Sequence, residues 1–273
     1  MIKDIVVNLP PSGEHNAADY AISIAGTFEA HIIGVAFVYQ AIVPVPGYMP
    51  LEAIDLQRRE SEAAAKSAAA RFTAAAARAG VPAEPLTLDV LPTDAGGQFS
   101  RIVRCADLAV VRQAEPGKGT AEEIVVEGAL FGTGRPVVIV PYIQKTPLKL
   151  DNVVVCWDGG RSAARAIADA MPFLKRAGRV EIVIVASERD QQDQIEGADI
   201  GQHLARHGVN VTVERIPAND IDVGNALLSH AADTAADFMV MGGYGHSRLR
   251  EFVLGGVTRS ILSTMTVPVL MSH

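Results

Sequence analysis

The chain contains two versions of one sequence pattern, and this repeat limits the possible folds more than any other feature does. Three apolar segments of the first half return in the second half. They lie at 3–9, 106–111 and 135–140, and they return at 151–157, 236–241 and 267–271. The clearest pair is ADLAVV and ADFMVM. The pattern predicts a tandem duplication with domains 1–147 and 148–273, because Pro147 and a short polar stretch interrupt the strand signals there.

Within each half, short β-branched segments alternate with longer helical patterns, which predicts βαβ units and a parallel sheet. We therefore expect two tandem Rossmann-like α/β domains, each a five-stranded parallel sheet flanked by helices. The second helix of the first half is longer, from about Leu51 to Arg78, and Gly80 is expected to end it. Packing is the favoured role of this alanine-rich helix, and an interaction face is the alternative. The two apolar closing segments would be exposed edges if unpaired, so we expect them to pair.

A glycine segment between a strand and a helix is the strongest functional signal. The chain reads MGGYG at 241–245, then nine residues, then GGVT at 255–258. Glycines at the end of a strand let backbone N–H groups approach a phosphate, and the N-terminus of the next helix adds positive charge. The spacing is neither a P-loop, which needs a lysine, nor the dinucleotide pattern Gly-x-Gly-x-x-Gly. Ordinary turn glycines are the alternative.

Asp158 follows the first strand of the second half and could accept hydrogen bonds from a ribose or an adenine edge. Its alternative role is to cap the helix that follows. Basic side chains within the glycine segment could offset phosphate charge or simply be solvated; they are His246, Arg248 and Arg250. His203 and His207 have helical spacing, but without a third ligand a surface helix is favoured over a metal site.

The glycine spacing, the Val-Thr pair at 257–258 and the Val-Pro-Val closing strand resemble the universal stress protein family in its ATP-binding form. That resemblance implies an adenine-nucleotide α-hydrolase-like fold and ATP, with or without Mg²⁺, as the ligand. It also implies the residues that contact the nucleotide, which would lie at strand ends and around the glycines: Cys156, Trp157, Asp158, Val185, Ala186, Met241, Gly242, Gly243, Gly245, Gly255, Gly256, Val257 and Thr258.

The chain departs from the family pattern at Gly256, where serine or threonine is usual. Losing one hydrogen bond to a charged phosphate weakens binding by about 1.5–3 kcal/mol. The first half departs further. Pro10 stands at the position that matches Asp158, and Glu115 brings a carboxylate to the place of the phosphates. The first domain is therefore predicted to be a degenerate copy without a nucleotide site.

Composition narrows the choice of partners and compartment. The net charge of −7 argues against nucleic-acid binding. Only two cysteines are present, without ligand spacing, which fits the reducing cytoplasm. No apolar segment is long enough for a membrane span.

We therefore expect a stress-response or regulatory protein that binds an adenine nucleotide in its second domain. The resemblance implies an internal pseudo-dimer of the two halves; a further homodimer and a regulatory protein partner are left open. One alternative is an interaction or dimerisation module without nucleotide. Another is a nucleotide-hydrolysing or adenylylating enzyme, which has the least support because no catalytic set is recognisable and at most slow ATP hydrolysis or autophosphorylation is expected.

Overall fold

Strands and helices alternate along the chain in the order that the sequence predicts. A computed structural model describes residues 1–11, 16–41, 51–115, 121–186, 196–217, 222–243 and 256–273. The chain divides into two units, Met1–Arg135 and Pro136–His273. Among the described residues, no helix has both the length and the apolar character that crossing a membrane requires.

The first unit has a parallel sheet in the order β3-β2-β1-β4. Its strands are β1 Asp4–Leu9, β2 His31–Tyr39, β3 Ala83–Val90 and β4 Leu108–Arg112. Its helices are α1 Asn16–Phe28, α2 Leu51–Ala79, α3 Ala95–Val103 and α4 Ala121–Gly132. The central strand β1 is buried from Ile5 to Leu9, as expected for a parallel strand with neighbours on both sides.

Helix α2 packs on the sheet through one narrow face. Its buried residues recur at helical spacing, at Ala65, Ala68, Phe72 and Ala76. The helix ends where the sequence predicts, because Gly80 adopts a left-handed φ of 67° that suits a glycine after a helix. This part of α2 is therefore a packing helix.

The second unit has a sheet in the order β5-β10-β9-β6-β7-β8. Its strands are β5 Val137–Val140, β6 Asn152–Cys156, β7 Arg179–Ala186, β8 Val211–Pro217, β9 Phe238–Gly242 and β10 Val269–Ser272. Its helices are α5 Arg161–Leu174, α6 Glu196–Arg206, α7 Val223–Asp233 and α8 Gly256–Thr264. Strands β6 to β10 pair in parallel.

The two closing strands pair with each other, as expected for apolar strands that would otherwise be edges. Strand β5 runs antiparallel to β10, with Ile139 opposite Val269. Because of this pairing β5 lies in the second unit, so the first unit keeps four described strands instead of the five expected. The α/β fold with a mainly parallel sheet is confirmed. The repeat boundary between residues 147 and 148 stays a prediction.

Helices cover both faces of the second sheet. Helix α5 covers one face, where Phe173 stacks on Phe238 of β9 with ring centroids 5.2 Å apart. Helix α7 covers the other face, where His230 Nε2 lies 2.8 Å from the buried carboxylate of Glu181 on β7. Helix α8 packs against α7, since a Cβ on Gly224 would lie 2.8 Å from Ser260 Cβ. Helix α8 therefore lies on the face opposite α5.

Candidate functional site

The strand order of the second unit reverses between β6 and β9. Strands β7 and β8 follow β6 on one side, whereas β9 and β10 lie on the other. Ligands of open α/β sheets bind beyond the carboxyl ends of the strands at such a switch point. The register Val155 to Val240 makes β6 and β9 direct neighbours. The structure thus brings Asp158 and the first glycines of the glycine segment to one crevice.

Asp158 forms a tight turn at the end of β6. Its side chain is exposed, and its Oδ1 accepts a hydrogen bond of 2.8 Å from the N–H of Gly160. Gly160, not Asp158, is the N-cap of α5, and no side chain caps that helix. The helix-cap alternative is therefore wrong. One carboxylate oxygen holds the turn, and the carboxylate still has acceptor capacity for a ligand.

Gly242 is a packing glycine. A Cβ at this position would lie 2.5 Å from the backbone nitrogen of Ala163 and 2.6 Å from the carbonyl carbon of Ser162, both in the first turn of α5. Real side chains do not approach a backbone so closely. The contact with α5 is sufficient reason for a glycine here, whatever binds nearby.

Gly243 is not required by packing in the same way. A Cβ there would meet only the Ser272 carbonyl among the described residues, at an ordinary 3.5 Å. Its own backbone is already engaged: the N–H donates to Ser272 O at 2.8 Å, and the carbonyl contacts His273 Nδ1 at 3.1 Å. Gly243 therefore lies at the crevice without offering its N–H to a phosphate.

Asp158 and Gly243 follow the ends of two neighbouring strands, β6 and β9. Continuing the register of Val155 with Val240 brings Trp157 level with Gly242 and Asp158 level with Gly243. Side chains alternate between faces along a strand. Because Gly242 faces α5, the alternation places Gly243 toward the opposite face, on which α8 lies.

Helix α8 begins at Gly256 and contributes the second part of the glycine motif. A Cβ on Gly256 would meet no atom of the described residues within 4 Å, and the φ angle is not left-handed. Val257 is half-buried, and Thr258 is only 4% exposed. The start of α8 is therefore open at Gly256, whereas the Thr258 side chain packs inward.

The residues expected around the adenine lie at neighbouring strand ends. Val185 is half-buried near the end of β7, and Ala186 pairs with Pro217 of β8. Cys156 and Met241 are both buried. Burial, with the nearby Asp158 carboxylate, raises the pKa of the Cys156 thiol to about 12, so this thiol is not a nucleophile.

Several predicted residues lie outside the described part of the chain: Gly245, Gly255, His246, Arg248 and Arg250. His203 and His207 are exposed on and just after α6, with ring centroids 4.7 Å apart. Among the described residues, no group of three or more His, Cys, Asp or Glu side chains could hold a metal ion.

The matching crevice of the first unit is filled by an ion pair. Arg112 stands at the end of β4, where β9 has Gly242, and its side chain is only 3% exposed. Its guanidinium contacts Glu115 at 3.1 Å and Glu122 at 3.4 Å. Burial, together with the Glu122 carboxylate, raises the pKa of Tyr39 at the end of β2 to about 12. Glu115, expected to repel a phosphate, is thus part of an internal salt bridge.

Sequence reasoning missed Ser272 and His273, which contact the start of the glycine segment. The signal was available, because residues that follow a strand next to β9 also reach the carboxyl edge of the sheet. Ser272 is 3% exposed, and its hydroxyl has no hydrogen-bond partner among the described residues. Its register partner is Gly242, which places it on the α5 face.

Comparison with known proteins agrees with this architecture. Residues 149–273 match the model of the Universal stress protein family. Among curated proteins, the chain is similar to Universal stress protein Slr1230 of Synechocystis sp., with 27% identity over 139 residues. That match covers 50% of this chain and 46% of the relative, so the chain spans about half the length of the relative.

Two solved structures resemble nearly the whole chain. A universal stress protein from Archaeoglobus fulgidus DSM 4304 has a TM-score of 0.71 and 19% identity, covering 98% of this chain and 97% of that chain. A putative universal stress protein from Pseudomonas aeruginosa UCBPP-PA14 has a TM-score of 0.65 and 15% identity, covering 100% and 93%. At these identities the likeness concerns the fold, and it extends over both repeats.

Proposed function

We propose that the domain at residues 149–273, which matches the model of the Universal stress protein family, binds an adenine nucleotide. ATP, with Mg²⁺ as its counter-ion in solution, is the ligand we favour. The protein would act in a stress response as a regulator that binds a nucleotide, and not as an efficient enzyme.

One observation carries the proposal. Asp158 and Gly243 follow the ends of the neighbouring strands β6 and β9 at the switch point of the sheet, and α8 begins with the exposed residue Gly256. A nucleotide has two polar parts, and each has a partner here. A carboxylate can accept hydrogen bonds from the ribose, and a helix N-terminus can bind the phosphates. Since a parallel strand pair is joined by a helix that runs back along the sheet, the N-terminus of α8 belongs to the carboxyl edge as well.

The base would lie toward β7. Val185 offers partly exposed apolar surface near the end of β7, and the buried Met241 and the neutral thiol of Cys156 lie at the neighbouring strand ends. An adenine ring gains from apolar contact and from a few backbone hydrogen bonds. Both of these are available where β6 and β7 end.

We propose one nucleotide per chain. In the first unit, Arg112 occupies the place of Gly242 and is paired with Glu115 and Glu122. Opening that crevice would require separating a buried guanidinium from two carboxylates, which is strongly unfavourable. The first unit would support the second structurally or bind a protein partner. Because Cys105 and Cys156 are both free thiols, we also place the protein in a reducing compartment such as the cytoplasm.

An interaction module without nucleotide is the second candidate. It is favoured by Gly243, whose N–H is engaged with Ser272, and by Gly256, which has no hydroxyl to offer a phosphate. Both features remove phosphate contacts. The two candidates differ in one observable, the binding of ATP.

The test uses Trp157, the only tryptophan, which follows β6 and directly precedes Asp158. We expect ATP with Mg²⁺ to change its fluorescence saturably, and GTP to have no effect. Asp158→Asn keeps an oxygen that can accept the hydrogen bond from the Gly160 N–H, but it removes the negative charge. The substitution therefore preserves the turn and changes only the group that would bind the ligand. We expect it to weaken ATP binding about tenfold.

Asp151→Asn, just before the start of β6, is the matched control and should leave ATP binding unchanged. No response of the wild-type protein up to millimolar ATP, when it was purified without nucleotide, would favour the interaction module instead.

A further inference from the structure

The end of α6 presents two imidazoles to solvent. His203 lies in the last turn of the helix, and His207 follows that turn. Residues four apart are neighbours on one face of a helix. Both histidines are exposed, and their ring centroids are 4.7 Å apart. The spacing in the sequence favours a plain surface helix, and the contact between the two rings is what the structure adds.

The backbone that carries these rings is fixed at the end of the helix. Gly208 adopts a left-handed φ of 80°, and its N–H donates to Ala205 O at 2.9 Å. The N–H of Val209 donates to Leu204 O at 3.2 Å, which completes a Schellman motif. Leu204 is fully buried and Val209 is also buried, so they anchor this end of α6 in the second unit. His207 is therefore held on the last turn.

The distance between the rings matches that of two imidazoles bound to one metal ion. With metal–nitrogen bonds of about 2.0–2.1 Å and angles of about 90–110° at the ion, the ring centroids are about 4.5–5.2 Å apart. The observed 4.7 Å lies within this range. Because both residues are exposed, each ring can rotate to direct a nitrogen at the ion. The negative end of the helix dipole at this terminus also favours a cation.

We propose that His203 and His207 chelate one divalent transition-metal ion. Imidazole nitrogen suits Cu²⁺, Ni²⁺ and Zn²⁺, whereas Mg²⁺ prefers oxygen ligands. Among the described residues, no third His, Cys, Asp or Glu completes a metal-binding group with this pair. Water therefore fills the other coordination positions, and the site is an open one.

This metal site is separate from the proposed nucleotide site and does not depend on it. Helix α6 joins the parallel strands β7 and β8, so its last turn lies at the edge of the sheet where the strands begin. Asp158 lies at the opposite edge, after the end of β6. A result on the metal therefore does not decide the question of ATP binding.

The experiment is an isothermal titration of Ni²⁺ into the full-length protein without an affinity tag, with Mg²⁺ as the second titrant. It compares the wild type with His207→Ala and with the double variant His207→Ala, Ala205→His. The double variant retains the number of histidines, but residues two apart on a helix do not face each other. Ala205 is exposed, so the position has room for a histidine.

We expect the wild type to have one Ni²⁺ site per chain that both variants lose, and we expect no binding of Mg²⁺ at this site. Loss of an outer-shell partner alone weakens metal binding about 10–100-fold, so loss of a ligand should weaken Ni²⁺ binding at least about tenfold. If His207→Ala does not fold, His203→Ala replaces it, since alanine is favoured within a helix. It should show the same loss.

Equal affinities of the wild type and the double variant for Ni²⁺ would overturn the proposal, because a chelate requires both imidazoles on one face. Absence of Ni²⁺ binding by the wild type at millimolar concentration would overturn it as well.

Discussion

Replacing Gly242 by alanine tests the packing of α5 on β9. The new Cβ would lie 2.5 Å from the nitrogen of Ala163, 2.6 Å from the carbonyl carbon of Ser162 and 2.8 Å from Ser162 Cβ. The first turn of α5 must retreat by about 0.9 Å to bring the Ala163 nitrogen to the 3.4 Å of ordinary contact. Ala163 is 2% exposed, so the retreat opens a packed region.

Overpacking of this kind destabilises a protein by about 1–3 kcal/mol. With a urea slope of about 2 kcal/mol per molar, the unfolding midpoint should fall by about 0.5–1.5 M. The assay follows Trp157 fluorescence during urea unfolding, which reports on the second unit because the only tryptophan lies there.

Gly256→Ala is the matched control for this substitution. A Cβ at Gly256 meets no described atom within 4 Å, and the φ angle there is not left-handed. Alanine should leave the midpoint unchanged or raise it, because it restricts the unfolded chain. A Gly242→Ala protein as stable as the wild type would refute the close approach of α5, and with it the structural reason for that glycine.

Gly256→Ser should tighten ATP binding by up to about tenfold in calorimetry, because the position has room for the hydroxyl. Gly256→Ala adds a Cβ without a hydroxyl and should not tighten binding. Equal affinities of the two variants for ATP would contradict the assigned contact. A disulfide reagent at pH 8 should modify only the exposed Cys105, because Cys156 is buried and its thiol pKa is raised to about 12. Modification of both thiols in the folded protein would contradict the burial of Cys156. Arg112→Ala should destabilise the protein by about 1–3 kcal/mol in urea unfolding, because it removes a buried side chain and leaves two partly buried carboxylates without their cation. Arg58→Ala, which breaks only exposed pairs, should leave the midpoint in place, and similar effects of the two substitutions would argue against the ion pair of Arg112.

The order of elements could be predicted from the sequence because the hydrophobic pattern and the repeat both specify it. Helix α8 begins at Gly256 and ends at Thr264, as the pattern indicates, and α2 ends before Gly80. The adjacency of β6 and β9 could be expected only from the resemblance to the universal stress protein family, because local patterns do not specify which strands are neighbours.

The partner of β5 could be predicted only in part. The apolar sequence at 135–140 shows that the strand must be covered, but nothing in it distinguishes a place beside the first sheet from a place beside β10. The antiparallel pairing of Ile139 with Val269 depends on a contact between distant segments. Local pattern contains no information on such a contact.

The roles of individual glycines depend on neighbours that the sequence does not reveal. Gly242 was assigned to a ligand, yet the α5 backbone alone requires a glycine there. Gly243 and Gly256 meet no such constraint among the described residues. Gly243 is buried with its N–H engaged, whereas Gly256 is exposed, so Gly256 is the better candidate for close approach of a nucleotide.

The sequence shows single charged residues, whereas the structure shows which of them form ion pairs. Glu115 alone suggested repulsion of a phosphate, but its partner Arg112 was not identified, because their contact depends on how the chain turns after β4. His273 was missed for a related reason. Its contact with Gly243 can be recognised only when β10 is known to pair with β9.

The central claim is one adenine nucleotide bound per chain, in the second unit. Isothermal titration of ATP with Mg²⁺ into the nucleotide-free protein measures this directly. We predict a stoichiometry near one, with affinity lowered by Asp158→Asn and unaffected by Arg112→Lys, which retains a cation in the crevice of the first unit. Two equivalent sites per chain, or no binding at millimolar ATP, would contradict the account.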